Sequence, residues 1–184
     1  MLEVIASKTC MIPKTFILDV DGVLTTGSFL YDETGKCYKI FGPDDNDGLK
    51  LLKDKIKIIF ITGDKRGFQI SKKRIVDDMG YELFLVSTIQ RIKWIRERYN
   101  PLEVIYMGDG IFDHLVMKNV GYGIAPQNAD ELTKKSAQFI TKRSGGDRAV
   151  AEASIHVLNK FFSKYKLEEV LNNNSSQIPE EWIG

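Results

Sequence analysis

The stretch that most constrains what this chain can fold into is Asp19–Thr25, which reads DVDGVLT. It directly follows an apolar run, Thr15–Leu18, that predicts a buried β-strand. In an extended chain, residues two positions apart point to the same side, so Asp19 and Asp21 would repel each other unless a cation or a proton lay between them. This arrangement suits a divalent metal ion and a carboxylate nucleophile. The alternative is a turn without function, because Asp-Gly is common in turns.

Two further apolar runs end in the same kind of chemistry. Ile58–Ile61 is followed by Thr62, and Val104–Met107 is followed by Asp109 and Asp113. The carboxyl ends of parallel strands line one crevice, where ligands bind in open α/β sheets. These side chains are therefore expected to converge, which favours the functional interpretation over the turn.

The order of elements predicts an α/β fold with a doubly wound, Rossmann-like parallel sheet. Residues 1–164 are expected to form a single domain, followed by a polar tail over residues 165–184. Residues 27–41 read as a β-hairpin beside the first acidic motif, called the flap below. No stretch between the motifs is long enough for a separate cap domain. Further strands and helices are expected at Leu83–Val86, Gly121–Ile124, Phe139–Ile140, Phe68–Met79, Phe112–Lys118 and Asn128–Lys134.

Two helices are expected to face the core with particular apolar residues. For the first of them these residues are Ile89, Ile92, Ile95 and Tyr99. For the last helix they are Val150, Ile155, Leu158 and Phe162.

Composition excludes several classes of protein. The net charge is +1, from 26 Lys and Arg against 25 Asp and Glu, so there is no basic excess for a nucleic acid. No apolar run approaches the roughly 20 residues that span a bilayer. Two cysteines, Cys10 and Cys37, are too few for a disulfide framework and predict free thiols in the cytoplasm. Residues 1–12 do not read as a signal peptide, and a P-loop kinase motif is missing.

The motifs closely resemble those of the haloacid dehalogenase-like phosphatase superfamily over residues 14–162. Asp19-x-Asp21 matches the first motif of that superfamily, Thr62 the second, and Gly108-Asp109-x-x-x-Asp113 the fourth. The chain is further similar to a small, cap-less group that dephosphorylates 3-deoxy-D-manno-octulosonate 8-phosphate and nine-carbon analogues. The residues that carry this resemblance are the DVDGVLT motif followed by Gly27, then Phe41, Asp45, Gly48 and Gly145-Gly146.

The resemblance implies a Mg²⁺-dependent phosphomonoesterase. Asp19 would be the nucleophile that forms an aspartyl phosphate, and Asp21 would be the general acid and then the general base. The Asp19 carboxylate, the Asp21 backbone carbonyl and Asp109 would bind Mg²⁺. Thr62 and Gly63 would bind the phosphate, while Asp113 would orient the metal's waters or a nearby cation.

The family also needs a cation at the start of the helix before its fourth motif. Arg91 fits the expected phase, because Ile92 and Ile95 follow it one and four places later. Lys93 supplies the usual residue type, and we favour it for the phosphate because a compact ammonium is the family's usual partner there.

Three departures from the family concern the substrate. Asp64 stands where the family often has arginine, Gly110 replaces a second aspartate, and Ala151 stands in place of an arginine near the Gly-Gly pair. A carboxylate on the substrate needs a cationic partner, for which the candidates are Arg66, Arg91 and Arg148.

The resemblance also implies a homotetramer joined through the flap, whose apolar residues would be unusual on an exposed ribbon. Two other functions remain open. One is a phosphatase for another small phosphomonoester. The other is a non-catalytic binding protein on the same fold, against which the joint presence of Asp19, Asp21, Thr62, Asp109 and Asp113 argues.

Overall fold

The computed structural model describes residues 12–162, so Cys10 and the predicted 165–184 tail lie outside the described residues. Its main sheet has six parallel strands in the order β5-β4-β1-β6-β7-β8, and a separate antiparallel pair is formed by β2 and β3. The strands are β1 Thr15–Asp19, β2 Thr25–Asp32, β3 Gly35–Phe41, β4 Lys57–Thr62, β5 Glu82–Leu85, β6 Val104–Met107, β7 Tyr122–Ala125 and β8 Phe139–Ile140. This architecture confirms the predicted fold class.

Helices flank the sheet and are mostly short. They are α1 Asp45–Lys50, α2 Phe68–Lys72, α3 Arg91–Arg96, α4 Asp113–Met117, α5 Glu131–Ser136 and α6 Ala149–Val157. Helix α2 continues as a π-helical segment, Lys73–Asp78, and α6 continues as another, Leu158–Phe162. Together, α2 and its extension correspond to the predicted Phe68–Met79 helix. In the part of the chain that is described, no helix is long and apolar enough to cross a membrane.

Strand β1 is at the centre of the sheet and fixes where the site lies. All five of its residues are buried, and it pairs with β4 on one side and with β6 on the other. Phe16 and Leu18 pack into the core on one face, and Ile17 packs into the core on the opposite face. Burial on both faces explains why these strands read as continuous apolar runs. The chain reverses its direction of travel across the sheet at β1, and ligands bind at such a switch point.

The flap is the antiparallel pair β2 and β3, which leaves the main sheet directly after β1. Several large apolar side chains of the flap are exposed: Leu30, Tyr31, Tyr38 and Ile40. Between residues 12 and 162 this ribbon is the insertion beside the site, and no separate cap is present there. The prediction of a hairpin without a cap is confirmed.

Two predictions about buried helix faces were wrong in detail. Ile89 is 68% exposed because it lies in a 3₁₀ turn, Thr88–Gln90, which precedes α3 and does not share its phase. Ile155 is 37% exposed because the buried face of α6 uses the small residues Ala153 and Ser154 instead. Small side chains carry little weight in an apolar periodicity, so the sequence pattern missed them.

Candidate active site

A cavity of about 540 Å³ opens at the carboxyl ends of β1 and β4. This volume lies within the range typical of small-molecule sites. Its lining includes Asp19, Asp21, Thr62, Gly63, Asp64, Arg91, Asp109 and, from the flap, Gly27, Phe29 and Lys36. The polar residues that follow the three apolar runs therefore lie together at this cavity, and the flap forms one of its walls.

A buried ion-pair network lies at the base of this cavity. Arg91 begins α3, and its Nη1 lies 2.6 Å from Oδ2 of Asp19 and 2.7 Å from Oδ1 of Asp113. The hydroxyl of Tyr106, from β6, lies 2.7 Å from the same Nη1 and donates to Asp113 Oδ1 at 2.6 Å. Burial alone would lower the pKa of Arg91, but the charge of Asp19 first, and then Tyr106 and Asp113, holds that pKa above its usual range. The arginine is therefore a permanent cation beside Asp19.

Three carboxylates meet closely enough to share a cation. Oxygens of Asp19, Asp109 and Asp113 all lie within 4.8 Å of one another. Burial, followed by the charges of Asp19 and Asp113, raises the pKa of Asp109 to about 8. Burial also raises the pKa of Asp19 to about 6, against the opposing effect of Arg91. When all three carboxyl groups are ionised, Arg91 leaves an excess of two negative charges, which matches a divalent metal with oxygen ligands.

The two oxygens of Asp113 are already used by protein donors. Oδ1 accepts from Arg91 and Tyr106, and Oδ2 accepts from the backbone N–H of Gly110 at 2.9 Å. Asp19 accepts two hydrogen bonds, from the N–H of Val20 and from Arg91, where Asp113 accepts three, so Asp19 and Asp109 are the better candidates for direct metal ligands. Asp113 fits the expected role of orienting the groups around them.

Gly22 allows the first acidic turn to approach Asp109. Its φ is +82°, in the left-handed region that favours glycine, and a Cβ at this position would overlap the Asp109 carboxylate. The glycine of the DVDG motif is therefore needed for backbone conformation and for space next to a predicted metal ligand.

Residues more than 100 positions later in the chain hold the loop that follows β1 in place. The Asn128 side-chain amide donates to the carbonyl of Gly22 at 2.9 Å, and its Oδ1 accepts from the N–H of Gly145 at 2.7 Å. A Cβ on Gly145 would overlap the carbonyl of Gly22. The Gly145-Gly146 pair therefore permits close packing against the acidic turn.

The flap contributes two lysines that sequence reasoning did not assign to the site. Nζ of Lys39 lies 2.8 Å from Oδ1 and 2.9 Å from Oδ2 of Asp21. Nζ of Lys36 lies 2.6 Å from Oδ2 of Asp64, which Lys39 also contacts at 2.9 Å. Burial opposes ionisation of Asp64, but hydrogen bonds from the two lysines lower its pKa to about 2. Asp64, where the family often has arginine, therefore binds the flap.

The preference for Lys93 over Arg91 was wrong. Lys93 lies on the outer side of α3, where its side chain is 78% exposed and lies 4.0 Å from Glu97. Arg91 is 2% exposed and contacts Asp19 directly. The helical phase explains this difference. Arg91, at the start of α3, points into the site, whereas Lys93, two places later, points away from it.

Two of the residues predicted to contact the substrate do not lie at the cavity. Arg66 is exposed and does not line it. Arg148 lies at the start of α6, where its Nε donates to Asp44 at 2.5 Å. Among the candidate arginines, only Arg91 reaches the site within the described part of one subunit.

Four residues of the site were missed from the sequence: Lys36, Lys39, Tyr106 and Asn128. Lys39 had a usable signal, because it alternates with the exposed Tyr38 and Ile40, which places a charge on the inner side of β3. Tyr106 lies inside an apolar strand and reads as core. Asn128 lies far from every motif, so nothing in the sequence pointed to it.

The six-stranded parallel sheet and the acidic site at its switch point define a Rossmann-like α/β protein with a candidate metal and phosphate site. The sequence model of the haloacid dehalogenase-like hydrolase family matches residues 24–153. The chain belongs to this family, and the resemblance inferred from its motifs is confirmed.

Individual relatives are phosphatases. The chain is 31% identical over 149 residues to the 3-deoxy-D-manno-octulosonate 8-phosphate phosphatase of Salmonella typhi, covering 76% of each chain. The crystal structure of the Yersinia pestis phosphatase of the same name is 25% identical, with a TM-score of 0.72 over 84% of this chain and 85% of that one. The Moraxella catarrhalis enzyme, solved with magnesium, phosphate and KDO, is 23% identical and shares the fold, with a TM-score of 0.72 over 89% and 94% of the two chains.

Proposed function

We propose that this protein is a Mg²⁺-dependent phosphomonoesterase that acts on the phosphate ester of a keto-deoxy sugar acid. The observation that carries the proposal is the placement of Asp19 between Arg91 and two further carboxylates, Asp109 and Asp113, at the base of an open cavity. If Arg91 served only to stabilise the fold through an ion pair, one carboxylate would be enough to balance its charge. An excess of buried carboxylates beside a cavity fits a site that handles a cation and a phosphate.

Asp19 is the proposed nucleophile. Its backbone position at the end of β1 is fixed, its Oδ1 accepts from the N–H of Val20 at 2.7 Å, and its Oδ2 accepts from Arg91. An oxygen of Asp19 attacks phosphorus, the ester P–O bond breaks, and an aspartyl phosphate forms. Water then attacks the same phosphorus, which releases phosphate and restores the Asp19 carboxylate.

Asp21 is the proposed acid and base. In the first step its carboxyl gives a proton to the departing sugar oxygen, and in the second step its carboxylate takes a proton from the attacking water. It lies in the turn directly after Asp19 and lines the same cavity. The two aspartates thus divide the chemistry between attack on phosphorus and proton transfer.

The phosphate oxygens are assigned to Arg91, Thr62 and Gly63. Arg91 Nε is buried and has no hydrogen-bond partner among residues 12–162, so this side chain keeps an unused donor. Thr62 ends β4 and Gly63 follows it, both on the wall of the cavity. A guanidinium together with neutral hydroxyl and amide donors stabilises the oxygens of a transferring phosphoryl group.

Mg²⁺ would be held by the Asp19 carboxylate, the Asp21 backbone carbonyl and Asp109. Once bound, it would offset the repulsion between these carboxylates and the phosphate. Burial first, and then the charges of Asp19 and Asp113, raise the pKa of Asp109 to about 8, and a bound cation would stabilise its ionised form.

The substrate class is proposed from the relatives, which are phosphatases for 3-deoxy-D-manno-octulosonate 8-phosphate. The cavity volume of about 540 Å³ is sufficient for a sugar acid of eight or nine carbons. The proposed contacts of Arg66 and Arg148 with the substrate carboxylate are withdrawn for a single subunit, because neither residue lines the cavity.

We further propose that residues 1–164 act as one domain in a cytoplasmic homotetramer. The exposed apolar residues of the flap support an interface there, and an interface beside the cavity would help to exclude water. The free thiol of Cys37 fits a reducing compartment.

A substrate panel tests the proposal. Phosphate release with Mg²⁺ is measured on eight- and nine-carbon keto-deoxy acid phosphates and on neutral sugar phosphates of similar size. We expect kcat/KM to be highest for a keto-acid phosphate. If neutral sugar phosphates are hydrolysed better than every keto-acid phosphate, the protein is a phosphatase for another small phosphomonoester.

A further inference from the structure

We propose that Lys39 of the flap is a positioning residue that holds the Asp21 carboxylate in place for proton transfer. This inference rests on the proposed function, in which Asp21 protonates the leaving oxygen. The flap would then do more than wall the cavity, because one of its strands would set the geometry of the acid.

The contacts of Lys39 leave its ammonium group no freedom. Its side chain is completely buried, and Nζ contacts Asp21 at 2.8 Å, Asp64 at 2.9 Å and the hydroxyl of Ser71 at 2.9 Å. An ammonium has three donors and no acceptor, so three partners on separate elements use all of them. Ser71 is itself buried and donates to the carbonyl of Gly67, which fixes its position.

Among residues 12–162, Lys39 is the closest side-chain donor to Asp21. The hydroxyls of Thr25 and Thr62 lie 3.5 Å and 3.4 Å from the Asp21 oxygens, near the limit of a hydrogen bond. An ion pair at 2.8 Å is shorter and stronger than either. Without it, the Asp21 carboxylate would lose its principal restraint while keeping its place in the chain.

The charge balance explains how a lysine can be buried here. Lys36 and Lys39 face Asp21 and Asp64, so the two positive charges are matched by two negative ones. A buried charge is tolerated when it is paired and hydrogen-bonded. Asp64 completes this balance, which gives a physical reason for an acid at a position where the family often has arginine.

The competing explanation is that Lys39 only anchors the flap. The structure offers a matched control, because Lys36 lies on the same strand and contacts the same Asp64, but makes no contact with Asp21. Lys36 also lines the cavity, so substituting it removes a flap anchor and a charge from the cavity wall, whereas substituting Lys39 removes a flap anchor and the restraint on the acid.

The test uses the dependence of kcat/KM on the leaving group, measured with aryl and alkyl phosphates that carry no carboxylate. This parameter covers binding and cleavage of the ester, and the later hydrolysis of the phosphoenzyme does not enter it. A poor alcohol leaving group needs protonation, whereas p-nitrophenolate does not. We expect Lys39→Met to lower kcat/KM for alkyl phosphates by roughly 10²-fold or more, the usual contribution of acid catalysis, and to affect p-nitrophenyl phosphate far less.

Lys36→Met should leave the slope against leaving-group basicity as it is in the wild type. Lys39→Met should make kcat/KM fall more steeply with leaving-group basicity than in the wild type. This variant leaves two acids facing one base, so the double variant Lys39→Met/Asp64→Asn restores the charge balance. The double variant should show the same steep dependence as Lys39→Met. A wild-type slope in both Lys39 variants, or an equal change in Lys36→Met, would overturn the inference. A wild-type protein that releases phosphate from none of these esters and from no keto-deoxy acid phosphate would instead overturn the proposed function and this inference with it.

Discussion

The guanidinium of Arg91 lies 2.6 Å from the carboxylate of Asp19, although 72 positions separate the two residues in the chain. Asp19 closes the central strand and Arg91 opens a helix, so the pair joins two elements at the base of the cavity. The contact fixes one oxygen of the proposed nucleophile and places a permanent positive charge where a phosphate would be bound.

Arg91→Met should lower kcat/KM by roughly 10²- to 10³-fold, the usual cost of removing one charged donor from a transition state. Steady-state phosphate release measures this change. Lys93→Met is the control on the exposed side of the same helix, and it should behave as the wild type. An equal loss in both variants would contradict the placement of Arg91.

Gly22→Ala should weaken the response to Mg²⁺. The added Cβ would displace the Asp109 carboxylate, and a shift of this size in a catalytic group costs about 10²-fold in rate. Titration of activity with Mg²⁺ measures the effect. Gly80→Ala is matched in backbone conformation, because φ is +77° there, yet a Cβ would meet nothing within 4 Å. It should lose about 1 kcal/mol of stability and keep its activity, and an unaltered Gly22→Ala would contradict the account.

Asp45 should make the protein less stable as the pH rises from about 4 to about 6. Burial raises its pKa from 3.8 to about 6, so the folded state binds more protons than the unfolded chain in this interval. Asp45→Asn removes this titration, and the shift corresponds to roughly 2–3 kcal/mol.

Urea unfolding at pH 4.5 and pH 7.5 gives the change in the free energy of unfolding with pH, and this change is compared between the wild type and Asp45→Asn. Any fixed cost of the amide cancels, since it is present at both pH values. The loss of stability between the two pH values should be smaller in Asp45→Asn than in the wild type. Equal losses would show that Asp45 does not titrate in this range.

The flap should hold the chain in an oligomer. Light scattering at micromolar concentration should give about four times the chain mass of 20.9 kDa. Tyr38→Lys, which places a charge on the exposed apolar side of the flap, should lower that mass. Leu102→Lys changes a residue that is 70% exposed but lies outside the flap, and it should leave the mass unaltered. If the wild type is a monomer, a neighbouring subunit cannot supply a wall of the cavity.

The sequence predicted the parallel sheet well because its central strands are buried on both faces and leave continuous apolar runs. It also predicted the convergence of Asp19, Thr62 and Asp109, since each lies one or two positions after such a run. These features depend on local pattern and on the rule that parallel strands end at one edge.

The parts that escaped prediction depend on contacts between distant segments. Lys39 reaches Asp21 only because the flap folds back over the site, and Asn128 reaches Gly22 across 106 positions of sequence. The choice between Arg91 and Lys93 required the start and phase of a six-residue helix, and helix boundaries are the least certain part of a prediction from sequence.

Trapping of the covalent intermediate tests the assignment of the nucleophile. Acid quenching during turnover of a ³²P-labelled substrate should leave label on the protein, and peptide mapping should place it on Asp19. Asp21→Asn should still accept label from an aryl phosphate, because that leaving group needs no proton, and should release it slowly. Label on another residue would contradict the division of roles between the two aspartates.

The most direct test of the central claim is phosphate release from 3-deoxy-D-manno-octulosonate 8-phosphate by the wild type and by Asp19→Asn, each with Mg²⁺ and with a chelator. The account predicts turnover by the wild type with Mg²⁺ alone, and none by the folded Asp19→Asn protein, because the amide cannot attack phosphorus. Turnover by Asp19→Asn at the wild-type rate, or full activity in the chelator, would contradict it.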